Sequence, residues 1–111
     1  MAGEISVHFR DVDWEPGRGT GIYRKMLRGD RLTEYTSLLK LDPDTRFPQH
    51  RHPEGEELLV LEGRIRIEGV WYEPGCYVYT PPGGDHDVYS DVGATMLLRM
   101  PAPAEMLEDP E

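Results

Sequence analysis

The sequence predicts an all-β domain in which about eight or nine short strands close into a barrel or fold into a two-sheet roll. Apolar residues recur with period two in one stretch after another, and no sustained 3.6-residue period appears. Glycine (12) and proline (10) are both frequent among the 111 residues, and they fall between the alternating stretches as turn formers. This length supports one core and therefore one domain.

Taken in order, residues 4–10 alternate with Ile5, Val7 and Phe9 on one face and read as the first strand. Residues 13–19 are rich in Pro and Gly and form a loop. Residues 21–27 make a second strand, Gly29-Asp30 a turn, and residues 32–41 a third strand. The run Leu41-Asp42-Pro43-Asp44 turns the chain into Phe47 and a histidine pair. Residues 57–61 are strongly apolar, and Glu62-Gly63 after them carries a hairpin signal. Residues 64–68 alternate as a strand with one wet face. Glu73-Pro74-Gly75 turns, residues 76–80 form a strand, and residues 81–85 a rigid Pro- and Gly-rich loop. Residues 86–90 and 94–100 complete the set. Leu59, Leu61, Ile65 and Ile67 are the expected core face. Pro101 and Pro103 stop the last strand, so residues 1–103 are read as the barrel and residues 104–111 as a loosely held acidic tail.

Composition excludes several classes of partner. The formal net charge of −9 leaves no basic stripe for phosphate backbones, so nucleic acid is not expected. No apolar run is long enough to cross a bilayer, and the first residues lack the pattern of a signal peptide. A single cysteine, Cys76, makes no internal disulfide, and the expected location is the cytoplasm.

The chemistry concentrates in His50-Arg51-His52-Pro53-Glu54-Gly55-Glu56-Glu57, with Gly63 and His86 beyond. On a strand, His50 and His52 leave the same face. A carboxylate from Glu54, Glu56 or Glu57 adds a hard oxygen donor, and Glu56 and Glu57 point to opposite faces if both lie on a strand. His86 closes the set from a distant segment. Imidazoles with one carboxylate suit Zn, Fe, Ni, Mn or Cu better than Mg or Ca, which prefer all-oxygen shells.

These residues resemble the paired motifs of the cupin family. His50, His52, Glu56 and Gly63 match its first motif, and Gly75, Pro81, Gly83 and His86 match its second. Two positions depart from the pattern. Asp44 stands where a Gly usually opens the first motif, and Ser90 where an Asn usually ends the second. Neither supplies a ligand in the family, and Asp tolerates the left-handed geometry such a turn needs. The resemblance implies a double-stranded β-helix (jelly-roll) barrel of the RmlC-like kind. It also implies one divalent transition metal per chain (Zn, Fe, Ni or Mn) held by His50, His52, Glu56 and His86.

More specifically, His-Arg-His-Pro-x-Gly-Glu-Glu followed by Leu-Val-Leu-Glu-Gly resembles the cupin domain of ChrR-type anti-sigma factors. Trp14 and the strand around Tyr23, Lys25 and Leu27 fit it as well. Those factors carry a separate zinc domain that grips the sigma factor, for which this chain has neither the cysteines nor the length. Sigma-factor binding is therefore not carried over.

Other residues have assigned expectations. Cys76 reads as a packed strand thiol, and Tyr77, Tyr79 and Tyr89 as barrel packing. Arg99 is a candidate to reach the cavity and hold an anionic substrate, with a solvent-facing role as the alternative. Glu54 and Asp85 flank the ligands in the two loops and are otherwise loop solvation. His8 is an ordinary strand residue. The expected function is a metal-dependent enzyme, of dioxygenase-like or isomerase/cyclase-like chemistry, acting on a small oxygenated molecule, with Glu56 as the catalytic base. The alternative is a ChrR-like metal-binding sensor or interaction module without catalysis. A homodimer is the expected assembly by resemblance.

Overall fold

The computed structural model describes residues 3–108. Eleven strands form two facing antiparallel sheets, with no α-helix among the described residues. The strands are β1 (Glu15–Pro16), β2 (Ile22–Gly29), β3 (Tyr35–Leu41), β4 (Thr45–His52), β5 (Glu56–Gly63), β6 (Ile65–Ile67), β7 (Val70–Tyr72), β8 (Tyr77–Thr80), β9 (Gly84–Ser90), β10 (Ala94–Met100) and β11 (Glu105–Met106). One sheet runs β1-β2-β3-β10-β5-β8 and the other β11-β4-β9-β6-β7. Of the two architectures open from the sequence, the protein adopts the two-sheet roll.

The inner faces alternate as pleated strands require. Leu39, Leu41, Leu58, Val60, Met96 and Leu98 come from the six-stranded sheet, and Phe47, Ile65, Ile67 and Val88 from the other. All of them are buried in one cluster. This corrects the expected core by one residue on β5. Val60 is fully buried while Leu61 is 39% exposed, and Leu59 is half-buried against the opposite face. Ile65 and Ile67 point inward as expected.

Glu62-Gly63 is a crossing point between sheets rather than a hairpin, since β5 and β6 do not pair. Gly63 lies at φ 69°, and a Cβ there would fall 1.8 Å from the Gly93 carbonyl oxygen, so only glycine fits. The true hairpin is one strand later. Glu68 (φ 49°) and Gly69 (φ 79°) turn β6 back onto β7 with both central residues left-handed. Asp44 takes φ 56°, as its turn position predicts.

The first expected strand does not form. Residues 9–11 are instead a 3-10 turn, and Ile5, at 88% exposed, packs on nothing. Alternation makes a strand only where an edge is free. The β2 edge is taken by Glu15–Pro16, and Pro16 has no N–H to extend the ladder. The turn instead covers the outside of β2, where Lys25 Nζ donates to the Phe9 carbonyl at 2.7 Å. The Trp14 ring meets the ammonium groups of Lys25 and Lys40, 4.9 and 4.7 Å from its centroid.

The far terminus also departs from expectation. Glu105–Met106 adds a strand to β4, with Met106 opposite His50, and Leu107 N–H donates to the Gln49 carbonyl at 2.9 Å. Arg51 pairs with Glu105 at 3.1 Å and Arg46 with Glu108 at 2.6 Å. The acidic residues find arginines along β4, which the sequence alone did not align.

Candidate metal centre

Both sheets contribute to the site. His50 and His52 leave the inner face of β4, and His86 stands directly opposite His50 on the neighbouring strand β9. Glu56 comes from the other sheet, as the first residue of β5. The chain crosses from His52 to Glu56 through residues 53–55. Gly55 turns there at φ 85°, which brings the carboxylate over the imidazoles. The His52 carbonyl accepts N–H groups from Gly55 at 3.2 Å and from Gly83 at 2.7 Å. That one oxygen ties the loop after β4 to the loop before β9.

All four side chains are buried, between 1% and 5% exposed. The ring centroids of the three imidazoles lie 4.6, 4.8 and 5.0 Å apart, and one ligand atom from each falls within 4.8 Å of the others. His50 Nδ1 donates to the Pro48 carbonyl at 2.7 Å. A carbonyl only accepts, so this contact fixes the tautomer and leaves Nε2 free to coordinate. His52 Nε2 sits 3.2 Å from His86 Nε2, and Glu56 Oε1 lies 3.4 Å from the former and 3.8 Å from the latter.

Burial sets the protonation states. It holds His50 down at about 4 and His52 at about 3, lowers His86, and pushes Glu56 up to about 8. The three imidazoles are therefore neutral donors at neutral pH. Glu56 Oε1 and His52 Nδ1 are buried without a hydrogen-bond partner. A buried carboxylate oxygen facing imidazole nitrogens requires a proton or a cation between them. The donor set fits a borderline transition-metal ion on both counts.

The site closes one end of a cavity of about 420 Å³ that is mostly apolar and reaches the surface at Arg18 and Leu32. Several expected neighbours lie elsewhere. Arg99 pairs with Glu34 at 2.9 Å and does not line the cavity, because β10 alternates and its inward residues are Met96, Leu98 and Met100. Glu54 and Asp85 are exposed outside the cavity. Tyr77 and Tyr79 are 58% and 55% exposed, on the outer face rather than in the packing. Tyr89 donates to Asp44 at 2.8 Å and meets Trp71 edge-on. Cys76 is half-buried against the core, as a packed thiol should be.

Among the cavity residues that escaped the sequence reading are Arg24 on β2 and Tyr35 on β3. Period two carried the missing signal for Arg24. It shares its face with Ile22, which is 1% exposed, so a cation stands in an inward register.

The fold has many solved relatives. The polyketide cyclase RemF from Streptomyces resistomycificus superposes with a TM-score of 0.81 at 21% identity, over 96% of this chain and 87% of that one. An acetylacetone dioxygenase from Acinetobacter johnsonii gives 0.78 at 15% identity, over 98% and 80%. A chain of the Rhodobacter sphaeroides SigE complex with the anti-sigma ChrR gives 0.72 at 23% identity, over 84% of this chain and 51% of that one. At these identities the likeness is one of fold, the cupin fold. No curated protein matches the chain in sequence. The family model described as the ChrR Cupin-like domain matches residues 2–105, and the chain belongs to that family.

Proposed function

We propose that the protein is a metal-dependent cupin enzyme acting on a small oxygenated molecule, with one divalent transition-metal ion held by His50, His52, His86 and Glu56. The observation that carries this reading is the cluster of three neutral imidazoles beside an unpartnered buried carboxylate, of which His50, His52 and Glu56 line a cavity of about 420 Å³. A pure scaffold has no use for such a cluster at the bottom of an open cavity. An ion bound there supplies Lewis acidity toward a substrate oxygen or, if redox-active, dioxygen chemistry.

The remaining work falls to the chain's own side chains. Leu39, Leu58 and Leu98 wall the cavity and exclude water from the reacting end. Glu56 is the one carboxylate among the cavity residues, so proton transfer to or from a substrate carbon or hydroxyl would fall to it on leaving the ion. The proposed chemistry is dioxygenase-like or isomerase/cyclase-like, in keeping with the reactions named for two structural relatives.

A second reading, a metal-binding sensor module, draws on the family match and on the ChrR likeness. Protein purified without added metal, assayed for metal content and against a panel of diketones and enediols, separates the two. The enzyme reading expects about one ion per chain and turnover that disappears in His52→Ala. Metal-loaded protein inert to the whole panel, but captured by a protein partner only when loaded, favours the sensor. We further propose a cytoplasmic homodimer. Its support is the unpaired Cys76 and the exposed apolar side chains of Ile5, Val7 and Phe9, and sedimentation measurements test the assembly.

A further inference from the structure

We propose that the cavity selects a small apolar molecule bearing one oxyanion group, a carboxylate or a phosphonate, and that Arg24 seats that group. The inference deepens the reading above and rests on the cavity being a substrate site. Its carrying observation is the placement of Arg24. The residue lies on the inward register of β2, opposite Leu39, in a cavity whose lining also includes Leu58, Leu98, Met96 and Met100. Its Nε is buried and bonded to nothing. No carboxylate pairs with it among the described residues, although Glu15 is its register partner on β1. The one feature that positions it is Tyr35, whose ring centroid lies 5.6 Å from the guanidinium carbon. Stacking on an aromatic face orients a guanidinium while leaving its planar N–H fork open, the geometry that takes two oxygens of one anion.

Charge placement points the same way. The chain carries 21 acidic and 12 basic side chains, yet the cavity residues include Arg18, Arg24 and Arg31 and, of the acids, only Glu56. Arg18 and Arg31 are exposed at the mouth, where they draw an anion through a field that is otherwise repulsive. Arg24 is the deeper, half-buried member, and a hydrogen-bonded ion pair gains most where water is thin. Arg28 and Arg99 differ in charge pairing, since both meet Glu34 outside the cavity, although Arg99 Nη1 is likewise buried without a partner.

The test titrates 3-phenylpropionate, 2-phenylethylphosphonate and the neutral 3-phenylpropionamide into metal-free and zinc-loaded protein by calorimetry. The expected result is a preference of at least about tenfold for one acid over the amide in both forms, with the preferred acid identifying the anion class. Arg24→Gln is expected to erase that preference while leaving amide affinity, zinc content and circular dichroism unchanged. Arg99→Gln serves as the control and leaves the preference intact. If Arg24→Gln does not fold, Arg24→Lys replaces it, and a severalfold weaker but surviving preference is expected from a point charge without the fork. Equal affinity for acid and amide overturns the inference, as does failure of both acids to bind. A preference seen only with zinc, or unchanged in Arg24→Gln, overturns it too, because the anion then sits on the metal. A preference that persists in protein unable to hold zinc supports Arg24 and refutes the metalloenzyme reading instead.

Discussion

Glu56 places its Oε1 3.4 Å from His52 Nε2, yet that oxygen has no hydrogen-bond partner and almost no contact with water. Two strands in different sheets hold the pair together. Metal-free protein satisfies this contact only by keeping a proton on the carboxylate, up to about pH 8. Metal uptake below that pH therefore displaces one proton, while His50 and His52, held at about 4 and 3, contribute none near neutrality. Zinc affinity is expected to rise about tenfold per pH unit from pH 6 to 8 and then level off. Calorimetry in buffers of different ionisation enthalpy counts the proton. Glu56→Gln should bind more weakly, with a flat pH dependence over the same range. An unchanged slope in that variant would show that the proton comes from elsewhere.

The same groups shape the stability of the metal-free protein. The folded-state values of His50 and His52 lie below their ordinary 6.5, and His86 is lowered too. Their contribution is complete above pH 6.5 and is lost as pH falls toward 4, because the unfolded chain binds the extra protons. Glu56 is raised from 4.5 to about 8. Its contribution is complete below pH 4.5 and is lost as pH rises to 8. Between 4.5 and 6.5 the three histidines outweigh the one carboxylate, so these four groups together peak near pH 6.5. Urea unfolding of metal-free protein is expected to lose about 0.5 kcal/mol in all between pH 6.5 and 8, because the last of the histidine gain offsets part of the carboxylate loss. Glu56→Gln should remove that loss, and saturating zinc should reverse its sign. A wild-type curve flat over this range would contradict a protonated Glu56.

How far the sequence could be read is clearest on β5. Choosing Glu56 as the inward ligand commits Leu58 and Val60 to the same face, since strand side chains alternate. Naming Leu59 and Leu61 as core contradicts that choice, and the structure sides with Glu56. The motif residues were legible because a motif confines them to few residue types at fixed spacing. Arg24 was not, because one inward cation has no motif and shows only through the pairing of β2 with β3. The ends of the chain were illegible for a related reason. Whether residues 4–10 or Glu105–Met106 form strands depends on which sheet edge is free, a tertiary property. Val60 and Leu61 turn the β5 register into a measurement. Val60→Ala, at a fully buried site, is expected to cost about 2 kcal/mol. Leu61→Ala, at 39% exposure, should cost no more than about 0.5 kcal/mol. Reversed magnitudes in denaturant unfolding would mean that the register is one residue out.

The acidic end of the chain supplies the last expectation. Met106 packs against the core and lines the cavity, so β11 is part of the wall as well as an edge cover for β4. The ion pairs of Arg51 with Glu105 and Arg46 with Glu108 are partly exposed, and each contributes little alone. The strand's apolar contact and its ladder to β4 carry more. Removing residues 105–111 is therefore expected to cost about 2 kcal/mol in denaturant unfolding. The double variant Glu105→Gln with Glu108→Gln should lose under about 1 kcal/mol. Zinc content should survive truncation, because none of the proposed ligands lies beyond His86. Affinity for the phenyl probes should fall, because Met106 no longer closes the cavity wall. A truncated protein with unchanged stability and unchanged probe affinity would show that the terminal strand contributes to neither.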